Sequence, residues 1–183
     1  MEAQAEHIHD ELIKQCRHGN SGAYQRIYKL YSRSMYNVGY RIVNNEAEAE
    51  DVLQEAFISA FKNLDHYRGD STFGAWLKRI VVNKALNQIG KRKFERIPDD
   101  EKWDVREEVD QDEFESFPFT VDMVKKAIEL LPDGYRTVLS LYLLEGYDHQ
   151  EIAEIMKITE STSKSQFNRS KKKLREILIN SKF

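Results

Sequence analysis

Apolar residues recur along most of this chain at steps of three and four, the period of a helix face rather than of a strand. Residues 10–18 predict a short helix stopped by Gly19-Asn20, which suit a C-terminal cap. Ser21 is placed to cap a long helix over roughly 22–43, with Ile27, Tyr31, Met35, Val38 and Ile42 as its inward stripe. Asn45-Glu46-Ala47-Glu48 begins the next helix in the manner of a capping box, and Leu53, Phe57, Ala60, Phe61 and Leu64 form its buried stripe. Residues 65–71 read as a turn, and Ser71 or Thr72 starts a helix running to about Lys93. Four helices on short connections predict a compact helical domain over 1–94.

The pattern then breaks. Residues 95–120, ERIPDDEKWDVREEVDQDEFESFPFT, have no helical period and hold two of the three prolines, so they read as a linker, flexible in the free chain. Thr120 can cap a helix over 121–130, and Pro132 opens another that ends near Gly146. Asp148 with Glu151 is a second capping-box pair, starting a helix over 149–156. Lys157-Ile158-Thr159 makes a tight turn, and a basic helix follows from Glu160 to about Ile179. The expected fold is all-α: a four-helix-type N-terminal domain, an acidic linker, and a helix-turn-helix domain over 121–183.

Composition narrows the function classes. Of 183 residues, 32% are charged and 40% hydrophobic, as in a helix-rich soluble protein. No run approaches the ~18–20 apolar residues of a membrane span, and the N-terminal MEAQAEHIHDEL does not read as a signal peptide. The single cysteine, Cys16, fits a reducing cytoplasm. His7, His9, Cys16 and His18 match no closed zinc spacing, so no metal and no cofactor is expected. His66 and His149 read as a turn residue and a helix-start residue. Without a Gly-rich phosphate loop, a nucleophile elbow or a paired-carboxylate constellation, the chain is not expected to be an enzyme.

The net charge of −3 argues against nucleic acid until it is divided along the chain. Residues 1–94 carry 14 Lys/Arg against 11 Asp/Glu, and residues 121–183 carry 11 against 9. The linker, with 3 against 11, holds the acidity. Two mildly basic blocks therefore flank an acidic tether.

Both blocks carry candidate chemistry. In HQEIAEIMKITESTSKSQFNRSKKKL, Ile152, Ala153, Ile155 and Met156 point inward and Ile158 sits in the turn of a helix-turn-helix. Phe167, Ser170 and Leu174 share the second helix's inner face, and Thr162, Ser165, Gln166 and Arg169 share another that can reach base edges in a major groove. Lys164, Lys171, Lys172, Lys173 and Arg175 suit phosphates. The bland alternative is an amphipathic helix with a solvated basic face. In the first block, a helix with a charged outer stripe (51–64) leads into an aromatic turn and then a helix that grows basic (72–94). That order suits a protein partner on one helix and unstacked nucleic acid on the next.

Two segments carry a family resemblance. AEDVLQEAFISAFKNLDHYRGDSTFGAWLKRIVVNKALN resembles region 2, and LPDGYRTVLSLYLLEGYDHQEIAEIMKITESTSKSQFNRSKKKL resembles region 4, of the extracytoplasmic-function sigma factors of the sigma-70 family. With flanking helices the likeness spans roughly 20–94 and 121–180. One departure is Ser163, where the family usually has an apolar residue early in the recognition helix; Phe167 lies one turn later on the same face.

The resemblance implies a subunit that binds RNA polymerase core and directs promoter recognition and strand opening. Core binding falls to Asp51, Gln54, Glu55, Ile58 and Lys62, opposite the apolar stripe, where carboxylates around an isoleucine suit an Arg-bearing helix; an ordinary solvated face is the plain alternative. Single-stranded minus-10 DNA falls to Tyr67, Arg68, Phe73, Trp76, Arg79, Asn83, Lys84 and Asn87, with Asn83 reading a base and Lys91, Arg92 and Lys93 beside phosphates. Phe73 and Trp76 could instead be core. Minus-35 duplex falls to Thr162, Lys164, Ser165, Gln166, Arg169, Lys171, Lys172 and Lys173. An anti-sigma factor is implied as a further partner.

The linker's reach poses a separate question. Promoter elements two helical turns apart lie ~60–70 Å from each other, whereas 26 relaxed residues span ~25–30 Å and a fully extended chain ~90 Å. A basic channel in the polymerase would hold an acidic tether stretched, so neutralising Asp110, Asp112, Glu113 and Glu115 should weaken core binding in a salt-dependent way. Folding back onto the basic helices is the alternative. Two rivals to the sigma reading remain at this level: a dimeric helix-turn-helix regulator binding duplex without polymerase, and a helical adaptor that binds no DNA.

Overall fold

The computed structural model describes residues 2–91 and 119–180, with side chains from His9 onward. The linker with Asp110, Asp112, Glu113 and Glu115, the phosphate candidates Arg92 and Lys93, and the His7 side chain lie outside the described residues. Cα packing gathers the chain into two units, Met1–Gly90 and Lys91–Phe183. The described elements are helical: α1 (Glu2–Arg17), α2 (Ser21–Val43), α3 (Glu46–Lys62), a single 3-10 turn (Leu64–His66), α4 (Phe73–Lys91), α5 (Val121–Glu129), α6 (Asp133–Leu143), α7 (His149–Met156) and α8 (Glu160–Asn180). None of these is long and apolar enough to cross a membrane.

In the first unit the helices begin and end where short polar side chains satisfy the backbone. α1 starts eight residues earlier than periodicity indicates, because its first turns are Ala, Glu and Gln, good helix formers without an apolar stripe. The cap of α2 is Asn20 rather than Ser21: the Asn20 side chain accepts from the amides of Gly22 at 2.9 Å and Ala23 at 3.2 Å. Asn44 closes α2 in the left-handed region at φ 52°, and the adjoining Asn45 opens α3 by accepting from the Glu48 amide at 3.0 Å. Thr72 caps α4 through the Ala75 amide at 3.2 Å.

The expected stripe of α2 is buried except for Tyr31, which is half-buried. On α3, Leu53, Phe57 and Ala60 are buried, while Phe61 is only half-buried with its ring edge-on to Tyr24 at 4.8 Å. Leu77, Val81, Val82, Ala85 and Ile89 supply the inner face of α4. A Cβ on Gly39 of α2 would lie 3.3 Å from Val52 of α3 and 3.7 Å from Val81 of α4, so three helices close on one side-chain-free point. Each large side chain sequestered here is worth ~1.5–3 kcal/mol.

The second unit is built around α8, against which α5, α6 and α7 all pack. Thr120 caps α5 by accepting from the Met123 amide at 3.3 Å. Asp148 and Glu151 form the reciprocal capping box at the start of α7. Lys157 takes the left-handed conformation at φ 57°, the Ile158 amide donates to the Ala153 carbonyl at 3.0 Å, and the chain turns into α8. Arg136 is 3% exposed and donates to the Leu131 carbonyl at 2.7 Å and to the Asp133 carboxylate. It thereby ties the start of α6 to the end of the preceding loop.

Candidate nucleic-acid interface

The aromatic turn is held from a helix far away in sequence. Arg17, in the last turn of α1, donates to the carbonyls of Leu64 at 3.2 Å and Tyr67 at 2.5 Å, with Asp65 at 4.0 Å. The Tyr67 hydroxyl donates to the Ser71 carbonyl at 2.8 Å, bridging the turn. Tyr67, Phe73 and Trp76 then form a three-ring cluster with centroids 5.4–5.5 Å apart. The cluster continues through Tyr31, 5.4 Å from Phe73, whose hydroxyl meets His9 Nδ1 of α1 at 3.0 Å. Burial raises the Tyr31 and Tyr67 hydroxyl pKa values; at Tyr67, Asp10 adds to the rise and Arg17 opposes it.

This packing separates the three candidate platforms. Phe73 is 3% exposed and belongs to the core, because Tyr31, Tyr67 and Trp76 surround it; it is corrected from the set of stacking residues. Tyr67 and Trp76 are half-buried and keep ring area open. Arg79, Asn83 and Asn87 are exposed on α4, and at ~100° per residue Trp76, Asn83 and Asn87 fall on one face. Arg68 is exposed in the turn.

On α3, Asp51, Gln54, Glu55, Ile58 and Lys62 are all exposed, with Ile58 at 55% despite being apolar. A shallow groove between α2 and α3 begins beside them, lined by Tyr28, Arg33, Tyr36, Glu50 and Gln54. Glu55 also meets Lys84 Nζ at 3.4 Å, so the expected protein-facing and DNA-facing helices share an ion pair.

In the second unit, Lys164, Lys171, Lys172 and Lys173 are exposed on α8. Lys164 pairs with Glu160 at 2.7 Å, Lys173 with Glu176 at 3.1 Å, and Lys171 Nζ sits 4.9 Å above the Phe167 ring. The base-facing set is less open. Thr162, Ser165, Gln166 and Arg169 are half-buried. The Thr162 hydroxyl bonds Thr159 Oγ1 at 2.7 Å, and Ser165 donates to the Thr162 carbonyl at 3.1 Å. Gln166 has its Oε1 buried without a hydrogen-bond partner, while the residue as a whole is half-buried. It lies one turn after Ser163, beside the inward seam.

Two features escaped the sequence reading. The Arg17 clasp joins residues 47 and 50 positions apart, and no spacing marks it. Ser163, fully buried, meets His149 Nδ1 at 2.9 Å, while the His149 ring stacks on Tyr142 at 4.5 Å with a 19° interplanar angle. Desolvation, then the Lys164 charge, lowers the His149 pKa below 6.5, against the opposing pull of Glu160 and Asp148. His9, Cys16 and His18 are apart in role: His9 is on Tyr31, His18 on the Lys14 carbonyl at 2.7 Å, and Cys16 is buried with its thiol pKa raised by desolvation.

Comparison with known proteins bears on the family and the fold. The family model "Sigma-70 region 2" matches residues 27–95, and "Sigma-70, region 4" matches residues 122–174. The ECF RNA polymerase sigma factor SigW of Bacillus subtilis is 33% identical over 177 residues, covering 91% of this chain and 94% of that protein. The RNA polymerase sigma-H factor of Pseudomonas aeruginosa is 31% identical over 183 residues, covering 92% of each. Among solved structures, the sigma factor RpoE from Bartonella quintana, in complex with the anti-sigma factor NepR, superposes with a TM-score of 0.58 at 21% identity, covering 87% of this chain and 98% of that one. CnrH in complex with the cytosolic domain of CnrY gives 0.55 at 20% identity, covering 93% and 97%. At such identities the structural likeness speaks to the fold.

Proposed function

This chain belongs to the sigma-70 family, among its extracytoplasmic-function sigma factors, and from that premise we propose how its surfaces divide the work of starting transcription. As a member it directs RNA polymerase to promoters, binding the core enzyme and promoter DNA as a non-catalytic subunit. In our reading, residues 1–94 dock on polymerase and open DNA, residues 95–120 tether, and residues 121–183 anchor duplex.

Docking uses Asp51, Gln54, Glu55, Ile58 and Lys62. An exposed isoleucine ringed by carboxylates offers an Arg-bearing partner helix both apolar area and charge-assisted hydrogen bonds. Strand opening uses the next helix. Each opened step costs ~1.4 kcal/mol, and stacking on an aromatic returns ~1–3 kcal/mol per base, so two captured bases offset a few steps without ATP. Tyr67 and Trp76 are the platforms, Asn83 reads a base, and Arg68, Arg79, Lys84 and Asn87 follow the backbone. On α8, Lys164, Lys171, Lys172 and Lys173 hold minus-35 phosphates, while Thr162, Ser165 and Arg169 face bases. The relative RpoE is solved with an anti-sigma factor, and we extend to this chain an anti-sigma partner competing for the α3 face. The work takes place in the cytoplasm, where polymerase is.

The observation that carries this reading is the half-open Tyr67–Trp76 pair, 5.4 Å apart, on the same side of α4 as the exposed Asn83 and Asn87. Its test is binding to a forked minus-10 DNA with and without purified core polymerase. The wild-type chain should bind the fork tightly only with core, and Asn83→Ala should weaken fork binding about tenfold while leaving duplex minus-35 binding in place. Equal binding without core, or no association with core at low salt, would overturn it.

A further inference from the structure

The seam of α8 is polar where a recognition helix most needs a fixed seat. Ser163 and Ser170 are both fully buried, Leu174 is half-buried, and the one large apolar side chain fully within the seam is Leu178, near the far end. Small residues allow close approach but supply little apolar area. Apolar burial also has no direction, so it leaves the rotation of such a helix weakly determined. A hydrogen bond does have direction and weakens steeply as its angle departs from linear.

The two buried serines differ in what they hold. The Ser170 hydroxyl turns back onto its own helix, donating to the Phe167 carbonyl at 2.7 Å. Ser163 instead reaches across to His149 Nδ1 at 2.9 Å, at the first residue of α7. The imidazole is itself clamped: Tyr142 of α6 stacks on it at 4.5 Å, and Phe167 of α8 stands edge-on at 5.5 Å. Tyr142 and Phe167 also meet each other at 4.5 Å. The residue just before, Asp148, is locked by the capping box. One ring thus fixes α8 against both α6 and α7.

We propose that His149 is a positioning residue for duplex reading: by holding Ser163, it sets the rotation of α8 and hence which bases its side chains meet. The inference rests on the reading of α8 as the minus-35 helix. The geometric lever is large. A turn of about 20° moves a group ~6 Å from the helix axis by ~2 Å, enough to break a hydrogen bond to a base edge.

The test is transcription by the reconstituted holoenzyme on promoters randomised across the minus-35 element, read as base preference at each position. Ser163→Ala removes one oxygen and keeps the seam small. It should reduce discrimination between favoured and singly substituted minus-35 sites by about fivefold to tenfold, with minus-10 fork binding unchanged. His149→Ala removes both the ring and the bond and should flatten the profile at least as much, whereas His149→Asn keeps an amide atom near the Nδ1 position and should recover part of the preference that His149→Ala loses. A purely structural role predicts the reverse: weaker binding at every sequence with the profile unchanged. An unaltered profile in Ser163→Ala, or in His149→Ala, overturns the inference. A wild-type holoenzyme indifferent to the minus-35 sequence would instead overturn the underlying reading of α8, and the inference with it.

Discussion

The two units are stabilised by different physics. All five buried polar or charged side chains among the described residues, Arg136, Thr137, Ser140, Ser163 and Ser170, lie in the second unit, and the buried side chains of the first are aliphatic, aromatic, thioether or thiol. The buried core of the first unit is non-directional apolar area and an aromatic cluster, its directional bonds such as the Arg17 clasp lying nearer the surface. The second uses directional bonds: Arg136 to the Leu131 carbonyl, Thr137 to the Asp133 carbonyl at 2.7 Å, and Ser163 to His149. A body that captures separated bases on ring faces tolerates small shifts, because stacking is permissive in angle and sequence. On the proposed division of labour a body that reads base edges does not, and satisfied buried polar groups such as the Thr137 and Ser163 hydroxyls specify one arrangement at some cost in desolvation.

That contrast can be broken from either side. The largest effect is expected for Leu77→Ala, which empties a fully buried site in the first unit and should cost ~2–5 kcal/mol in denaturant unfolding. Arg136→Met should cost ~2–3 kcal/mol, at the lower end for a broken buried pair because Asp133 is one-third exposed. Hydrogen exchange of α6 to α8 should register that loss while the amides of α2 to α4 stay protected. Trp76→Ala should weaken fork binding by ~1–3 kcal/mol with little change in minus-35 preference. If it alters minus-35 preference instead, the division of labour is wrong.

Acidity supplies a gentler probe. The folded His149 pKa lies below the ordinary value, so near pH 6.5 the unfolded chain binds more protons than the folded one. Stability of the second unit from this group is therefore complete above ~pH 6.5 and declines as pH falls through the folded value. Hydrogen exchange of α7 and α8 between pH 7.5 and 5 should show that decline in the wild type and a flatter response in His149→Asn. Smallest of all is the Lys84–Glu55 pair, partly exposed at both ends, whose double-mutant cycle should give less than ~1 kcal/mol.

What could be read from letters alone was what depends on neighbours within a turn or two. Thr120, and Asp148 with Glu151, cap where their spacing says, and the α4 row is exposed as its period requires. Cross-chain packing was not readable. Phe73 and Trp76 are three residues apart on one helix, and only the arrival of Tyr31 from α2 makes one of them core. Gln166 and Ser163 differ by a single turn, and what holds the buried Ser163, an imidazole from another helix, leaves no mark in the local spacing.

The placement of Arg17 bears on how this polypeptide ought to be handled. The matched region 2 segment starts at residue 27, yet the guanidinium that ties off the carbonyls of Leu64 and Tyr67 comes ten residues upstream. An expression fragment trimmed to the matched boundary would keep every residue expected to touch a base and lose the clasp that shapes their loop. Ancestry and architecture draw the edge of this module in different places, and a biochemist should cut by the second.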